Sequence, residues 1–193
     1  MASSSQGETR TGASGELELL ERIRQGDRAA FERLYKLYHP RLTRFLMNLV
    51  HRPALVEEVL NDTMMVVWER PHSFKGASKL STWIFAIAYR KVMKGLRRQD
   101  EAIEDKEQDQ RASSALDPEE EAGKHRLHQL LMEAMAQLSP AHRAVIDLTY
   151  FHDLLYQDIA EILDCPVDTV KTRMFYARRH LRKHLSGEFA DWV

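Results

Sequence analysis

The segment Asp158–Leu185, DIAEILDCPVDTVKTRMFYARRHLRKHL, has the spacing of two short helices separated by a tight turn. The inner face of the first helix consists of three apolar residues, Ile159, Ala160 and Leu163. The sequence Asp164-Cys165-Pro166 then interrupts this helix. Asp tolerates the left-handed backbone of a tight turn, and Pro is preset for the first position of a new helix. The pattern therefore predicts a helix-turn-helix.

The second helix of this motif is basic on its outward side. We expect four apolar residues to face inward, namely Val170, Met174, Ala177 and Leu181. Six Lys or Arg residues and no acidic residue follow Asp168 in the segment. A basic recognition helix after a tight turn suits the major groove of double-stranded DNA. The alternative interpretation is a helical hairpin whose basic face is simply solvated.

The outward side chains fall into two groups, those placed to reach base edges and those placed to reach phosphates. Three residues near the helix N-terminus are candidates for reading base edges: Lys171, Thr172 and Phe175. Lys can donate to guanine acceptors, and Thr or Phe can contact a thymine methyl group. The remaining cations are candidates for phosphate contacts, namely Arg173, Arg178, Arg179, Arg182 and Lys183. Phosphate contacts fix the register and make binding salt-dependent without reading sequence.

The net charge of −1 is the sum of three unlike parts. Residues 16–99 carry sixteen Lys/Arg against nine Asp/Glu, residues 100–123 carry two against ten, and residues 124–193 carry nine of each. A strongly negative segment with few large apolar residues is typical of a flexible linker. Residues 1–15 are rich in Ser, Gly and Thr and predict a disordered tail.

The apolar spacing in the rest of the chain is helical, and no stretch shows the alternation of a strand. Prolines 40, 53 and 71 fall between apolar stripes, where we expect helices to break or restart. Asp117-Pro118 and Ser139-Pro140 are further helix start signals. A helix over about Ser81–Arg98 would place its inner face at Ile84, Ile87, Ala88 and Val92.

These patterns predict an all-α fold of two small helical domains, an N-terminal helical bundle and a C-terminal helix-turn-helix domain, joined by a flexible acidic linker. The predicted tail covers residues 1–15 and the first domain residues 16–98. The linker covers residues 99–117, the second domain residues 118–186 and a C-terminal tail residues 187–193.

Several functional classes are disfavoured. No apolar run approaches the roughly eighteen residues that cross a bilayer, and the N-terminus resembles no signal peptide, so we expect a cytoplasmic protein without membrane insertion. Cys165 is the only cysteine, which leaves no disulfide, and packing is favoured over a redox role. His180 and His184 lack a third ligand for a metal. Because no catalytic or nucleotide-binding motif is present, we expect neither an enzyme nor a cofactor.

Two segments of the first domain point to a family. VEEVLNDTMMVVWERPHSF, Val56–Phe74, and LSTWIFAIAYRKVMKGLRR, Leu80–Arg98, resemble region 2 of bacterial sigma factors. With the helix-turn-helix and the short linker, the chain resembles the extracytoplasmic-function (ECF) group of these factors. The resemblance implies a protein that binds core RNA polymerase, recognises the promoter −35 and −10 elements and melts the promoter without hydrolysing a nucleotide.

The resemblance also assigns roles to residues. The helix corresponding to Val56–Trp68 docks on the clamp helices of the polymerase β′ subunit in this family. The implied core-polymerase contacts are Glu57, Glu58, Asn61 and Asp62. The C-terminal domain reads the −35 element and contacts the flap of the β subunit. The implied −35 contacts are Lys171, Thr172, Arg173, Phe175, Arg178 and Arg179.

The segment from about Pro71 through Lys91 corresponds to the part of the family that opens the −10 element and holds an unstacked base. The implied −10 contacts are Phe74, Lys79, Ser81, Thr82, Trp83, Arg90 and Lys91. Aromatic residues interleaved with cations also suit single-stranded DNA on their own chemistry. Trp83 and Phe85 suit the interior of the bundle equally well.

The resemblance implies an anti-sigma factor as a further partner. It also exposes a departure, because Asp153-Leu154-Leu155 stands where many members have Gly-Leu-Ser, and we expect Asp153 to cap the following helix instead of Ser. Two other hypotheses remain open. One is a stand-alone helix-turn-helix repressor or activator, and the other is a helical adaptor that does not bind DNA.

Overall fold

The computed structural model describes residues 5–103 and 130–189, and within these ranges every regular element is a helix. The all-α prediction is confirmed. The chain divides into two compact units, with the boundary between Gln99 and Asp100 for all but four residues. Among the described helices, none combines the length and the apolar composition that a membrane span requires.

The described residues up to 103 form α1 (Ser5–Arg24), α2 (Arg28–Val50), α3 (Pro53–Glu69), a 3-10 turn (Pro71–Ser73) and α4 (Leu80–Ile103). Helix α2 packs against both α1 and α3.

The predicted inner face of α4 is confirmed, because Ile84, Ile87, Ala88 and Val92 are all buried. Phe85 is also buried, and its ring centre lies 5.2 Å from that of Phe45 on α2. On the other side, α4 approaches α3 so closely that a Cβ at Gly95 would lie 2.9 Å from Cδ1 of Leu55. Helix α4 therefore contributes to the same apolar core as α2 and α3.

Pro40 does not break a helix, contrary to the prediction. It lies inside α2 with its ring exposed, whereas Pro53 and Pro71 begin helical segments as predicted. A proline in a helix interior costs about 3 kcal/mol because it removes one backbone hydrogen bond and its ring crowds the preceding turn. Tyr38 and Leu42 on either side are fully buried, and their burial offsets that cost.

The helices extend beyond the boundaries that composition suggests. Residues 5–15 of the predicted tail belong to α1, and residues 99–103 of the predicted linker belong to α4. Once a helix is nucleated by a packed segment, each added residue gains one backbone hydrogen bond, so polar residues can continue it. Residues 104–117 of the predicted linker and the Asp117-Pro118 start signal lie outside the described residues.

A buried tyrosine links α1 to α2. The Tyr38 hydroxyl donates to Oε2 of Glu16 at 2.7 Å, and Arg41 donates to Oε1 of the same carboxylate at 3.4 Å. The Arg41 guanidinium also lies over the Tyr38 ring, 4.8 Å from its centre. Burial, followed by the negative charge of Glu16, raises the pKa of Tyr38 well above its ordinary value. The hydroxyl therefore remains a hydrogen-bond donor at any physiological pH.

The substitution Tyr38→Phe removes this donor and should lower the free energy of unfolding by about 1.5–3 kcal/mol, the usual range for a hydrogen bond to a charged group. Tyr35→Phe is the matched control, because the Tyr35 hydroxyl makes only an exposed 3.3 Å contact with Asn61. That control should cost less than about 1 kcal/mol. Urea unfolding followed by circular dichroism measures both effects, and equal losses would contradict the assignment.

The described residues from 130 onward form α5 (residues 130–136), α6 (Pro140–Tyr150), α7 (Tyr156–Leu163) and α8 (Val167–Phe189). The Ser139-Pro140 start signal is confirmed: Oγ of Ser139 accepts a hydrogen bond from the backbone N–H of His142, and Pro140 is the first helical residue. The Arg143 side chain fastens the preceding turn by donating to the carbonyls of Leu138 and Ala136.

The connection between α6 and α7 contains a buried acid–histidine pair. Asp147 and His152 have almost no exposed side-chain surface, and Oδ2 of the acid lies 3.2 Å from Nε2 of the imidazole. These two atoms are not aligned for a hydrogen bond with each other, so their contact is electrostatic.

The expectation that Asp153 caps α7 is wrong. Asp153 has a left-handed backbone, with a φ of 50°, and lies three residues before the helix begins at Tyr156. The carbonyl of Leu155 accepts the first helical hydrogen bond, from Ile159 at 3.0 Å. Asp can occupy the left-handed region at lower cost than most residues, so position 153 forms the turn and Leu155 takes the cap position.

Candidate nucleic-acid and polymerase interfaces

The turn between α7 and α8 has the predicted geometry. Asp164 adopts a left-handed backbone with a φ of 50°. The Cys165 N–H donates to the carbonyl of Ala160 at 3.1 Å, which closes the end of α7. Helix α8 begins at Val167, one residue later than predicted, so Pro166 precedes it and its carbonyl accepts from Thr169 at 2.9 Å. Apart from this shift of one residue, the geometry agrees with the predicted helix-turn-helix.

Burial fixes which side of α8 faces solvent. Val170, Met174 and Ala177 are buried as predicted, and Leu181 is half-buried. Because a helix turns by about 100° per residue, the opposite side is centred on Thr172 and Arg179. Five of the six predicted −35 contacts are exposed: Lys171, Thr172, Phe175, Arg178 and Arg179.

Two of the predicted phosphate contacts are engaged inside the second unit. The Arg178 guanidinium lies 5.6 Å from the ring centre of Tyr150 on α6. Arg173 is half-buried, and its Nη1 lies 3.6 Å from Sγ of Cys165. Both arginines stand on the flanks of α8, so their backbone positions direct them toward α6 or the turn. Arg179 points directly outward and is the better placed cation for a phosphate.

The N-terminal turn of α8 is ordered by local contacts. Lys171 pairs with Asp168 at 2.9 Å, and the Thr172 hydroxyl donates to the Asp168 carbonyl at 2.9 Å. Asp168 thereby holds the two side chains that are candidates for reading bases. Exposed ion pairs of this kind contribute little stability, so Lys171 can leave Asp168 for a stronger acceptor.

Sequence reasoning missed Tyr176 on this surface. Its side chain is 54% exposed, and its ring packs edge-on against Phe175 with the centres 5.5 Å apart. The two aromatic residues therefore present one continuous exposed surface beside Thr172. Position 176, four residues after Thr172, could have indicated the shared side, because residues four apart lie on one face of a helix.

Basic side chains from the start of α6 and from α8 lie near each other. His142 lies close enough to Arg173 and His180 for their charges to act on it. Burial, followed by these two charges, lowers the pKa of His142 below the ordinary 6.5. His180 packs on His184 with ring centres 4.5 Å apart, but no group of three potential metal ligands occurs among the described residues.

The lowered pKa of His142 predicts acid sensitivity of the second unit. The unfolded chain binds the proton first, so the stability contributed by neutral His142 is complete above pH 6.5 and is lost as the pH falls through the folded-state pKa. The melting temperature of the wild type should therefore fall more steeply between about pH 7 and pH 5 than that of the control His142→Gln. Thermal unfolding over this pH range measures the difference, and parallel profiles would contradict it.

The predicted polymerase-contact residues form one exposed side of α3. Glu57, Glu58, Asn61 and Asp62 are all exposed, while Val56, Val59, Leu60 and Thr63 face the core. Met65, one turn further along, is 52% exposed and extends this side with an apolar side chain. The result is an acidic surface with an apolar end, which we call the α3 acidic face.

The predicted −10 contacts do not form one exposed surface. Phe74, Ser81 and Thr82 are buried, Trp83 and Lys91 are half-buried, and Lys79 and Arg90 are exposed. Thr82 lies three residues before the buried Phe85, so it falls on the inner side of α4. Phe74 packs against Trp83, with ring centres 5.5 Å apart. Burial removes Phe74, Ser81 and Thr82 from the side chains that can contact a strand in this conformation.

One ion pair brings the two sets of predicted contacts together. Nζ of Lys91 on α4 lies 2.9 Å from Oδ2 of Asp62 on the α3 acidic face. The Asn61 side chain accepts a hydrogen bond from Tyr35 on α2 at 3.3 Å. The acidic face is therefore held by contacts from both neighbouring helices.

Two models of known protein families match separate parts of the chain. Residues 34–102 match the model of sigma-70 region 2, and residues 128–181 match that of sigma-70 region 4. An ECF RNA polymerase sigma factor, RpoE of Cereibacter sphaeroides, is 33% identical over 168 residues, which cover 83% of this chain and 88% of the relative. The chain belongs to the ECF sigma factors.

Other relatives support the same family. The ECF sigma-E factor of Haemophilus influenzae is 30% identical over 86% of this chain and 93% of the relative. The solved sigma factor RpoE of Bartonella quintana, in complex with the anti-sigma factor NepR, superposes with a TM-score of 0.68 at 28% identity and covers 81% of this chain and 96% of its own. The CnrH structure has a TM-score of 0.67 at 20% identity, with 90% and 98% covered, and shares the fold.

Membership of this family decides between the hypotheses. This ECF sigma factor is an alternative sigma factor that directs promoter recognition by RNA polymerase, and as a transcription initiation factor it is not an enzyme. A stand-alone repressor or activator is not favoured, since region 2 would then have no role.

The orientations of Arg178 and Arg179 predict different effects on promoter binding by the sigma factor. Arg179→Ala should weaken binding of core-loaded protein to all duplexes by a similar factor and lower the salt slope of the association constant by about 1. Arg178→Ala should change the slope less, because that guanidinium lies over Tyr150. Anisotropy titrations at several salt concentrations measure both, and a larger slope change for Arg178→Ala would contradict the geometry.

Proposed function

We propose that this sigma factor acts through three main surfaces, one for the β′ subunit of core polymerase and two for promoter DNA. The proposal assigns residues 16–98 to core and −10 binding and residues 118–186 to −35 binding, with an acidic linker between them. The observation that carries it is that the region 2 match contains an exposed acidic face and an exposed cationic loop, while the region 4 match contains an exposed basic and aromatic helix.

The core-polymerase surface is the α3 acidic face. Its proposed partner is the pair of clamp helices on the β′ subunit, contacted through Glu57, Glu58, Asn61 and Asp62. Exposed carboxylates on a rigid helix favour a basic partner, because complementary charges orient two proteins before their apolar surfaces meet. Met65 supplies an apolar contact at the end of the same surface. The flap of the β subunit is the proposed second contact, made by the C-terminal domain.

The −10 surface consists of the loop before α4 and the exposed part of α4. Lys79 and Arg90 are exposed there, and Trp83 and Lys91 are half-buried beside them. We assign these residues to the non-template strand, with cations on phosphates and the Trp83 ring available for stacking. Phe74, Ser81 and Thr82 support this surface from the interior. Strand opening is driven by binding energy, since the chain supplies no nucleotide chemistry.

The −35 surface is the outward side of α8. Lys171, Thr172 and Phe175 are assigned to base edges, and Arg179 to phosphate, with Arg173 and Arg178 at the flanks. Anti-sigma control is a further part of the proposal, supported by the resemblance to the Bartonella quintana factor, whose structure contains an anti-sigma partner. A sigma factor works with polymerase on the chromosome, so we assign the protein to the cytoplasm.

Run-off transcription is the direct test of this proposal. Purified protein is added to sigma-free core polymerase with fragmented genomic DNA of the source organism, and RNA 5′ ends are mapped. Discrete start sites that share two spaced upstream motifs are expected. A silent polymerase, combined with specific duplex binding by the protein alone, would instead support a repressor.

Charge reversal on the α3 acidic face should separate polymerase binding from DNA binding. Glu58→Lys is expected to weaken core association at least about tenfold, because it places a like charge against a basic partner. Glu32→Lys is the matched control, since Glu32 is an exposed acid on α2 outside the proposed surface. Fluorescence titration of labelled protein with core polymerase gives both affinities. Equal affinities for the two variants would place the core contact elsewhere.

A further inference from the structure

The loop between the 3-10 turn and α4 is exposed in its middle and fixed at its ends. Lys75, Gly76, Ala77 and Lys79 are exposed, whereas Phe74 before them and Leu80 after them are buried. Gly76 has a φ of 75° with open space around it, so the backbone direction and not crowding requires glycine there. Small residues between two lysines allow a nucleic-acid backbone to approach closely. We call residues 75–79 the capture loop.

Arg24 fixes the entrance to this loop. Its Nη2 donates to the backbone carbonyl of Phe74 at 3.0 Å, across fifty residues of sequence. Its Nη1 donates to Glu21 at 2.9 Å, which orients the guanidinium from within α1. The Nε–H donor is buried and has no hydrogen-bond partner within the described chain. A buried N–H group without a partner costs folding free energy, so placing Arg24 here slightly lowers the stability of the protein.

The end of α1 that carries Arg24 is held by further side-chain contacts. Arg22 donates to Oδ2 of Asp27 through Nε at 2.9 Å and Nη2 at 2.7 Å, across the turn between α1 and α2. Oδ1 of Asp27 also accepts the N–H groups of Ala29 and Ala30 at the start of α2. The Ala30 hydrogen bond, followed by the Arg22 contact, lowers the pKa of Asp27, so the carboxylate is ionised at neutral pH.

Phe74 transmits this fixed position to α4. Its ring is 5% exposed and packs against Trp83, the aromatic residue proposed to stack on the strand. The 3-10 turn also contacts both α1 and α3. Arg24 thus holds the carbonyl of a residue whose side chain supports one wall of the proposed −10 surface.

We propose that Arg24 is a positioning residue for the capture loop, so that it sets base discrimination at the −10 element without touching DNA itself. This proposal rests on the proposed function. Loss of the hydrogen bond to Phe74 would leave the core-polymerase and −35 surfaces unchanged. It would allow the loop entrance to move, and the strand would then be held in several positions instead of one.

The test compares strand binding by holoenzymes that carry wild-type protein, Arg24→Met, Arg24→Lys or the control Arg33→Ala. Met keeps the length of the aliphatic stem but has no donor, and Lys restores one donor. Arg33 is an exposed arginine on α2 outside every surface described above. The probe is a labelled non-template oligonucleotide of a promoter mapped with the wild type, together with single-base variants across its −10 element.

Arg24→Met should reduce discrimination between the promoter strand and its −10 variants by about tenfold, the equivalent of one hydrogen bond to a charged donor. Arg24→Lys should restore part of it, and Arg33→Ala should leave it unchanged. The affinity for core polymerase and the binding of a −35 duplex should match the wild type in all three variants. Unchanged discrimination in a folded Arg24→Met protein would overturn the proposal.

A second variant and a wild-type control distinguish failure of this proposal from misfolding and from failure of the proposed function. If circular dichroism shows that Arg24→Met does not fold, Arg24→Gln decides, because its amide is too short to reach the Phe74 carbonyl, and unchanged discrimination there overturns the proposal. If wild-type holoenzyme itself shows no preference for the promoter strand, the assignment of the −10 surface is wrong, and the role of Arg24 falls with it.

Discussion

Burial of Val170, Met174 and Ala177 against the second unit fixes the rotation of α8 about its own axis, and the exposed surface of that helix follows from it. Once these residues face inward, Thr172 and Arg179 can only face outward. The same constraint acts in the first unit, where the buried side of α3 leaves the acidic side exposed. The proposed surfaces on α3 and α8 are thus each the complement of an apolar stripe, and a change in packing would move the surface with it.

Local patterns in the sequence predict the elements that local physics controls. The inner faces of α4 and α8, the Ser139 cap and the left-handed turn at Asp164 all depend on residues within one or two turns of each other, and each is present in the structure. Pro40 could not be assigned correctly, because its tolerance depends on the buried residues around it. The position of Asp153 likewise depends on how α6 and α7 are connected.

Contacts between distant segments explain why the site was only partly predictable. The aromatic residues and cations between Phe74 and Lys94 suggest single-stranded DNA binding, yet composition does not tell which aromatic ring is buried against a neighbour. The Phe74 side chain is buried, and the Trp83 side chain is half-buried at the edge of the core. The Arg24 contact with Phe74, the Lys91 pair with Asp62 and the Arg178 contact with Tyr150 join residues 28 to 50 positions apart, and periodicity carries no information about such pairs.

The buried contact between Asp147 and His152 constrains how the second unit can evolve. Removing one member of a buried polar contact weakens the compensation that the other receives for its desolvation, whereas replacing both with apolar residues of similar volume is often tolerated. A lineage that loses the acid would therefore come under pressure to lose the histidine soon afterwards. Substitutions at positions 147 and 152 should therefore be correlated among relatives, and a substitution at only one of them should be short-lived in evolution.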